Sequence, residues 1–306
     1  MQTIKRGEEN GIQAYSCNDC HRRFRNKRKI VVHDDLWFAY VFHKQTIREL
    51  SESTGHDKKT LVAYIDAVVV PKKTHQPRPV HLVVDATYFG KRTDDSAWGV
   101  VLFRDADARE NLWWKYVDEE RALHYREGKE FLESSGYTIL SVTCDGFSGN
   151  IPVFSGILLQ MCHFHTKMIV TRGTTLKPKT EAGQVLLALI RTLTYTSKEE
   201  FTHRLRLFHV KYASFLNEKT WHPEGGWSYT HDGVRRAYFS VVHWFDYLFT
   251  FHVDRRIPNT TNTCDGHFSH VKDIVRIHRG LHKALKQKVL DAIFLESTIA
   301  PKRKKK

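Results

Sequence analysis

The stretch His81-Leu-Val-Val-Asp-Ala-Thr-Tyr-Phe-Gly90 buries a single aspartate, Asp85, in an apolar, β-branched run. Runs of this kind form buried strands. Downstream, TDDSAWGVVLFRDADAR (93–109) and ENLWWKYV (110–117) read as two more strands around a polar turn, an antiparallel meander. Residues 118–135 have helical period, with Ala122, Leu123, Phe131 and Leu132 expected on the inward side and Gly136 ending the helix. TILSVTCDG (138–146) is a fourth strand that, like the first, carries an aspartate near its end. A helix crossover returns the chain parallel to a neighbouring strand, so the fourth strand is expected beside the first. That arrangement sets Asp85 and Asp145 side by side in an α/β domain.

Two carboxylates on adjacent central strands are costly unless a positive charge neutralises them. Oxygen ligands select Mg²⁺ or Mn²⁺, and two such ions roughly 3.5–4 Å apart serve phosphoryl transfer. Taken singly, Asp145-Gly146 reads as a turn dipeptide and Asp85 as a strand-end residue. Their joint placement favours the metal pair, with nucleic acid supplying the phosphate.

The composition agrees with a polyanionic partner: 48 Lys and Arg against 34 Asp and Glu give a formal charge of +14 over 306 residues. With 41% hydrophobic residues the chain can bury a real core, which excludes wholesale disorder. The longest run free of Lys, Arg, Asp and Glu, Gly146 to Thr166, is broken by Asn150, Pro152, Gln160 and two histidines, so no membrane span is expected. The N-terminus lacks the apolar core of a secretory signal, and five cysteines do not suit a disulfide framework. The expected setting is reducing and cytoplasmic.

Residues 1–35 form a basic segment in which Cys17 and Cys20 precede Arg22, Arg23, Arg25, Lys27, Arg28 and Lys29. It reads as a small DNA-facing module or a solvated tail. Cys17, Cys20, Phe24, Ile30 and His33 follow the spacing of a two-Cys two-His finger, yet positions 37–39 hold no fourth ligand. Zinc at Cys17 and Cys20 is therefore expected to be weak or absent, and residues 1–30 to be poorly ordered. Residues 36–70 suit two short helices around Gly55, with apolar Ile47, Leu50, Leu61, Ile65 and Val68, a Thr46/Glu49 capping box and an Asp57 N-cap. They are a helix-turn-helix whose second helix offers Lys58, Lys59 and Tyr64 to DNA, or an ordinary helical hairpin. Residues 71–79, rich in proline, read as a linker.

Asp85 in HLVVDATYFG, Asp145 in SVTCDGF, Cys162-His-Phe-His165, and IPNTTNTCDGHFSHVKD (257–273) together resemble the Mutator-type insertion-sequence transposases, within the larger group of DDE transposases. The likeness spans roughly residues 12–290. It implies a ribonuclease-H-like catalytic domain over 80–298 and a mainly helical insertion at about 181–250, while the lysines and arginine within 299–306 read by themselves as a basic tail. It implies metal-dependent DNA cleavage and strand transfer with two Mg²⁺ or Mn²⁺ ions on Asp85, Asp145 and a third acid. The family pattern of Thr-Asn, two residues, then the acid puts the third on Asp265, where the family usually has Glu. Gly11 to Phe24 resembles the second knuckle of the zinc ribbon in a zinc-binding branch of these transposases, whose first Cys pair lies upstream.

Residues within the insertion have their own helical period: Val185, Leu186, Leu189, Ile190 and Leu193, then Phe201, Leu205, Phe208, Tyr212 and Phe215. Trp221, Trp227 and Trp244 read as core residues or as a surface that stacks on distorted DNA ends. Cys162 and His165 supply two ligands at most, so a buried, hydrogen-bonded structural motif stands beside half a zinc site. A helix is expected from about Asn262, carrying Asp265, Ser269 and Lys272 on one face, with Lys272 and Arg276 meeting phosphate or forming a solvated face.

The function expected from these features is a DNA transposase binding terminal inverted repeats and target DNA as a homodimer or larger synaptic assembly, in a prokaryotic, nucleoid-associated setting. The alternatives are a catalytically inactive DNA-binding regulator derived from a transposase, and a metal-dependent nuclease of the same fold.

Overall fold

The computed structural model describes residues 2–9, 12–25, 34–90, 97–278 and 281–296. They fall into two units, Met1–Pro71 with Ile277–Val289, and Lys72–Arg276 with Leu290–Lys306.

In the first unit, β1 (Thr3–Glu9), β2 (Ile12–Cys17) and β3 (Arg23–Arg25) form an antiparallel sheet in that order. Poor order was the expectation for this segment, and the described residues overturn it. Tyr15 stacks on Phe24 across β2 and β3, with ring centres 5.8 Å apart, and Ala14, Ser16 and Cys17 are buried. Such cross-strand pairs stabilise a small sheet. Helices α1 (Asp34–Val41), α2 (Ile47–Thr54) and α3 (Lys58–Ala67) follow. Thr46 and Glu49 form the reciprocal capping box, and Asp57 accepts from the amides of Lys59 and Thr60. Gly55 ends α2 at φ 72°, a left-handed conformation that glycine adopts without strain. Leu50, Leu61 and Ile65 are buried, and Lys288 donates to the last carbonyls of α3, Ile65 at 3.0 Å and Asp66 at 2.7 Å.

The second unit is built on a five-stranded mixed sheet of β4 (Pro79–Phe89), β5 (Trp98–Asp105), β6 (Asn111–Val117), β7 (Thr138–Cys144) and β8 (Leu158–Met161), in the order β6-β5-β4-β7-β8. β4, β5 and β6 pair antiparallel, while β4, β7 and β8 pair parallel. Helix α4 (Ala122–Ser134) makes the crossover from β6 to β7. It buries Tyr125, Gly128 and Leu132, whereas Leu123 and Phe131, expected inward, are 52% and 39% exposed. Gly128 decides the rotation. A Cβ there would stand 2.6 Å from the Phe103 ring, so only glycine lets the helix lie this close to the sheet. The segment before β4 has no helix or strand, but it is held by ion pairs of Lys73 with Glu110 and of Arg78 with Asp105 and Glu110.

After β7 come α5 (Asn150–Val153), β8, α6 (His163–Thr174), α7 (Glu181–Arg191) and α8 (Lys198–Asn217). A hairpin of β9 (Lys219–Trp221) and β10 (Trp227–Tyr229) leads to α9 (Asp232–Trp244), then two short 3₁₀ turns, α10 (Asn262–Ile277) and α11 (Lys283–Glu296). Helices α7, α8 and α9 share one apolar core with the sheet: Leu82, Val84, Phe103 and Val142 belong to the same cluster as Leu186, Phe201, Phe208 and Val241. Trp244 is buried in that cluster, as core filling requires. Val80, Leu82 and Val84 of β4 face this core, and the strand's period of two sends Val83 and Asp85 to the other side. There Cys264 of α10 donates its thiol proton to the Val83 carbonyl at 3.8 Å.

Candidate active site

Asp85 comes from the middle of β4, and Asp145 stands directly after β7. The last paired residues of these parallel strands are Val83 and Thr143, so the two aspartates lie at equivalent positions two residues further on. Asp265 arrives on the first turn of α10. The loop ahead of that helix is tied down on both sides: Thr143 Oγ1 donates to the Pro258 carbonyl at 2.6 Å, and the His163 amide donates to Asn259 at 2.8 Å. A chain segment 120 residues beyond Asp145 is thereby delivered to the strand ends.

Electrostatics report the convergence. Burial, then the charge of Asp145, then that of Asp265 hold the Asp85 carboxyl well above the usual carboxylate range, against the opposing effects of His165 and the Ala86 amide. Burial likewise raises Asp145, whose Oδ1 accepts from the Phe147 amide at 3.0 Å. Asp85 Oδ1 accepts from the Ala86 amide at 2.8 Å, and Asp265 Oδ2 accepts from the Thr261 hydroxyl at 3.0 Å. Among the described residues no group of three or more His, Cys, Asp or Glu side chains is arranged to hold a metal ion. Each carboxylate is turned to a local donor instead. As a donor set the three suit a hard divalent cation: all are oxygen ligands, and the like charges that penalise Asp85 would be compensated by bound positive charge.

This repulsion has a measurable consequence. Because the folded-state pKa of Asp85 is raised, the site penalises folding at pH values where the unfolded carboxyl is ionised, and the penalty fades as pH falls from the folded-state pKa toward the unfolded one. Asp85→Asn is therefore expected to stabilise the chain in chelator at pH 7.5 by ~0.5–2 kcal/mol, with the gain shrinking toward acid pH. Urea unfolding measures it. Equal or lower stability would contradict the coupling.

Cys162 caps α6 and His165 lies on its first turn, and both meet Thr261. The Thr261 amide donates to Cys162 Sγ at 3.2 Å, and its Oγ1 lies 3.4 Å from that sulfur and 3.3 Å from His165 Nδ1. Hydrogen bonding to Cys162, then the charges of Cys162, Asp85 and Asp145, push His165 up to about 9 despite its burial. Burial pushes the Cys162 thiol up, but hydrogen bonds with His165 and Thr261 outweigh it and the pKa is lowered. Thr261 is the threonine of the Thr-Asn pattern that locates Asp265, but only its contacts reveal what it does.

A second unanticipated network holds α10. Arg104 Nη1 donates to Asn111 Oδ1 at 2.5 Å, and Asn111 Nδ2 donates to His267 Nε2 at 3.0 Å and to the Phe294 carbonyl at 3.2 Å. Burial, with Arg104 adding to it, holds His267 near 4, so the ring is a neutral acceptor. A buried arginine within the β5 run was the available signal.

The expected DNA-contacting residues are scattered in their exposure. Arg22, Arg23, Lys58, Lys59 and Lys272 are exposed, while Lys27, Arg28, Lys29, His33 and the basic tail lie outside the described residues. Tyr64 is half-buried with its ring edge-on to His56, not on an open face. Arg276 is exposed but ion-paired with Asp273 at 3.1 Å. Cys17 and Cys20 sit at the turn between β2 and β3, where amides of Cys20 and Asp19 lower the Cys17 pKa, and no described third ligand joins them.

No family model and no curated protein matches this chain. Among solved structures it is similar to the Drosophila P element transposase strand transfer complex, at 10% identity over 89% of this chain and 93% of that one, with a TM-score of 0.41. No described helix is long and apolar enough to cross a membrane.

Proposed function

We propose that the chain is a Mutator-type DDE transposase with a ribonuclease-H-like catalytic domain, binding its element's terminal inverted repeats and catalysing strand cleavage and strand transfer. The observation that carries this function is the meeting of Asp85, Asp145 and Asp265, from three separate elements, closely enough for Asp85 to feel both other charges. A sheet of order β6-β5-β4-β7-β8 with its second strand antiparallel, and acids on β4 and just after β7, is what such a domain requires. Asp85, Asp145 and Asp265 would hold the Mg²⁺ or Mn²⁺ ions, which supply activation of the attacking oxygen and stabilisation of the leaving one when bound. The carboxylates fix where those charges sit. Arg22, Arg23, Arg25, Lys27, Arg28, Lys29, Lys58, Lys59, Lys272 and Arg276 would meet DNA, and paired ends require a dimer or larger assembly. The test is an assay of the purified chain on the DNA flanking its gene: Mg²⁺-dependent nicking at the ends and joining to a target plasmid are expected. Tight end binding without either reaction would favour the regulator instead.

The hairpin of the insertion contributes a DNA surface. Trp221 and Trp227 face each other across β9 and β10 and are 71% and 43% exposed, with Lys219 Nζ 3.8 Å over the Trp227 ring and Arg235 3.8 Å over Tyr229. Exposed rings flanked by cations stack on unpaired bases, at ~1–3 kcal/mol per base. Changing both Trp221 and Trp227 to Ala is expected to weaken binding to ends with unpaired bases by at least about tenfold, and to fully paired ends far less. Fluorescence anisotropy with the two end types measures it, and equal losses on both would remove stacking from the mechanism.

A further inference from the structure

We infer that Thr261 is a positioning residue for the third carboxylate, and that Cys162-X-X-His165 exists to hold Thr261 rather than to bind zinc. The inference rests on the proposed function only in calling Asp265 catalytic. Thr261 is fully buried, and its carbonyl accepts from the amides of Cys264 and Asp265, so it caps the N-terminus of α10. Its hydroxyl has one proton and two lone pairs to satisfy. The strongest acceptor within reach is Asp265 Oδ2 at 3.0 Å, which takes the proton. One lone pair takes His165 Nδ1–H at 3.3 Å, and Cys162 Sγ, an acceptor, lies 3.4 Å from the hydroxyl. The Thr261 amide, which cannot bond within its own helix, is taken by the same sulfur at 3.2 Å.

Every polar atom of Thr261 is thus assigned, and each assignment fixes a different thing. Sulfur and imidazole fix where the hydroxyl stands, and the hydroxyl fixes which way the Asp265 carboxylate turns. Cys162 is fully buried against Thr261, and among the described residues no group of three or more His, Cys, Asp or Glu side chains stands there to complete a zinc site. The arrangement also explains why a motif at 162–165 and one at 257–273, about a hundred residues apart, belong to one centre.

Crystal structures of the full chain and of Thr261→Val, with Mn²⁺ titrations of both, test the inference. Valine keeps the shape and removes the hydroxyl. The Asp265 carboxylate is expected to turn away from its position while the α10 backbone stays, and Mn²⁺ affinity to fall roughly 10–100-fold. Thr261→Ser, which restores the hydroxyl, is expected to restore both. Should the valine variant fail to fold, Thr261→Ala removes the same group and is read the same way. An unmoved Asp265 carboxylate with unchanged Mn²⁺ affinity overturns the positioning role, as does tight zinc on Cys162 and His165. If the wild-type chain cuts no DNA while Thr261→Val still turns Asp265, the positioning role stands and the transposase assignment falls.

Discussion

Asp145→Asn is expected to lower metal-dependent cleavage of the DNA ends by roughly 10³-fold, the equivalent of several kcal/mol of lost transition-state stabilisation. End binding should hardly change. The amide keeps the size of the side chain and can still accept from the Phe147 amide, so the turn after β7 survives while the charge that attracts the cation is gone. Asp85→Asn should behave alike, although its carboxylate is the more deeply buried. A gel assay of cleaved ends, run beside an anisotropy measurement of binding, separates the two effects. Wild-type cleavage in Asp145→Asn, or equal cleavage in chelator, would remove the metal-dependent mechanism.

The second large effect concerns Asp265. Asp265→Ala is expected to abolish cleavage, and Asp265→Glu to retain or raise it, because glutamate reaches roughly 1.5 Å further toward a shared cation. The Glu variant keeps the acid while shifting it relative to Thr261, which tests how closely reach is matched to the site. Cleavage by Asp265→Ala would place the third ligand elsewhere. Asp273, the nearest acid on the same helix, is a poor substitute, being exposed and ion-paired with Arg276.

The sheet was legible because its strands are long, apolar and separated by a helix, and the crossover rule then placed β7 beside β4 without further information. β8 was not, since Leu158–Met161 is a run of only four residues, too short to show a strand period. The face of α4 is hidden from the sequence for a different reason. Leu123 and Phe131 are the larger apolar residues, but Gly128 sets how near the helix can come to Phe103, and period alone does not weigh an absent side chain. The N-terminal sheet is hard to read because two cysteines without partners point to disorder, whereas Tyr15–Phe24 stacking and three strands supply packing of their own. At the site, Asp85 and Asp145 could be found from their placement at apolar strands, and Asp265 only from the resemblance. Thr261 could not, because its part depends on a sulfur, an imidazole and a carboxylate brought together from residues 162, 165 and 265.

The central claim, that Asp85, Asp145 and Asp265 form one metal-binding phosphoryl-transfer centre, is tested most directly by anomalous diffraction from crystals of the chain bound to a DNA end in Mn²⁺. Manganese density bounded by the carboxylates of all three aspartates and by a phosphate of the DNA is the expected result. Manganese bound without one of these carboxylates, or no manganese at the strand ends while DNA is in place, would contradict it.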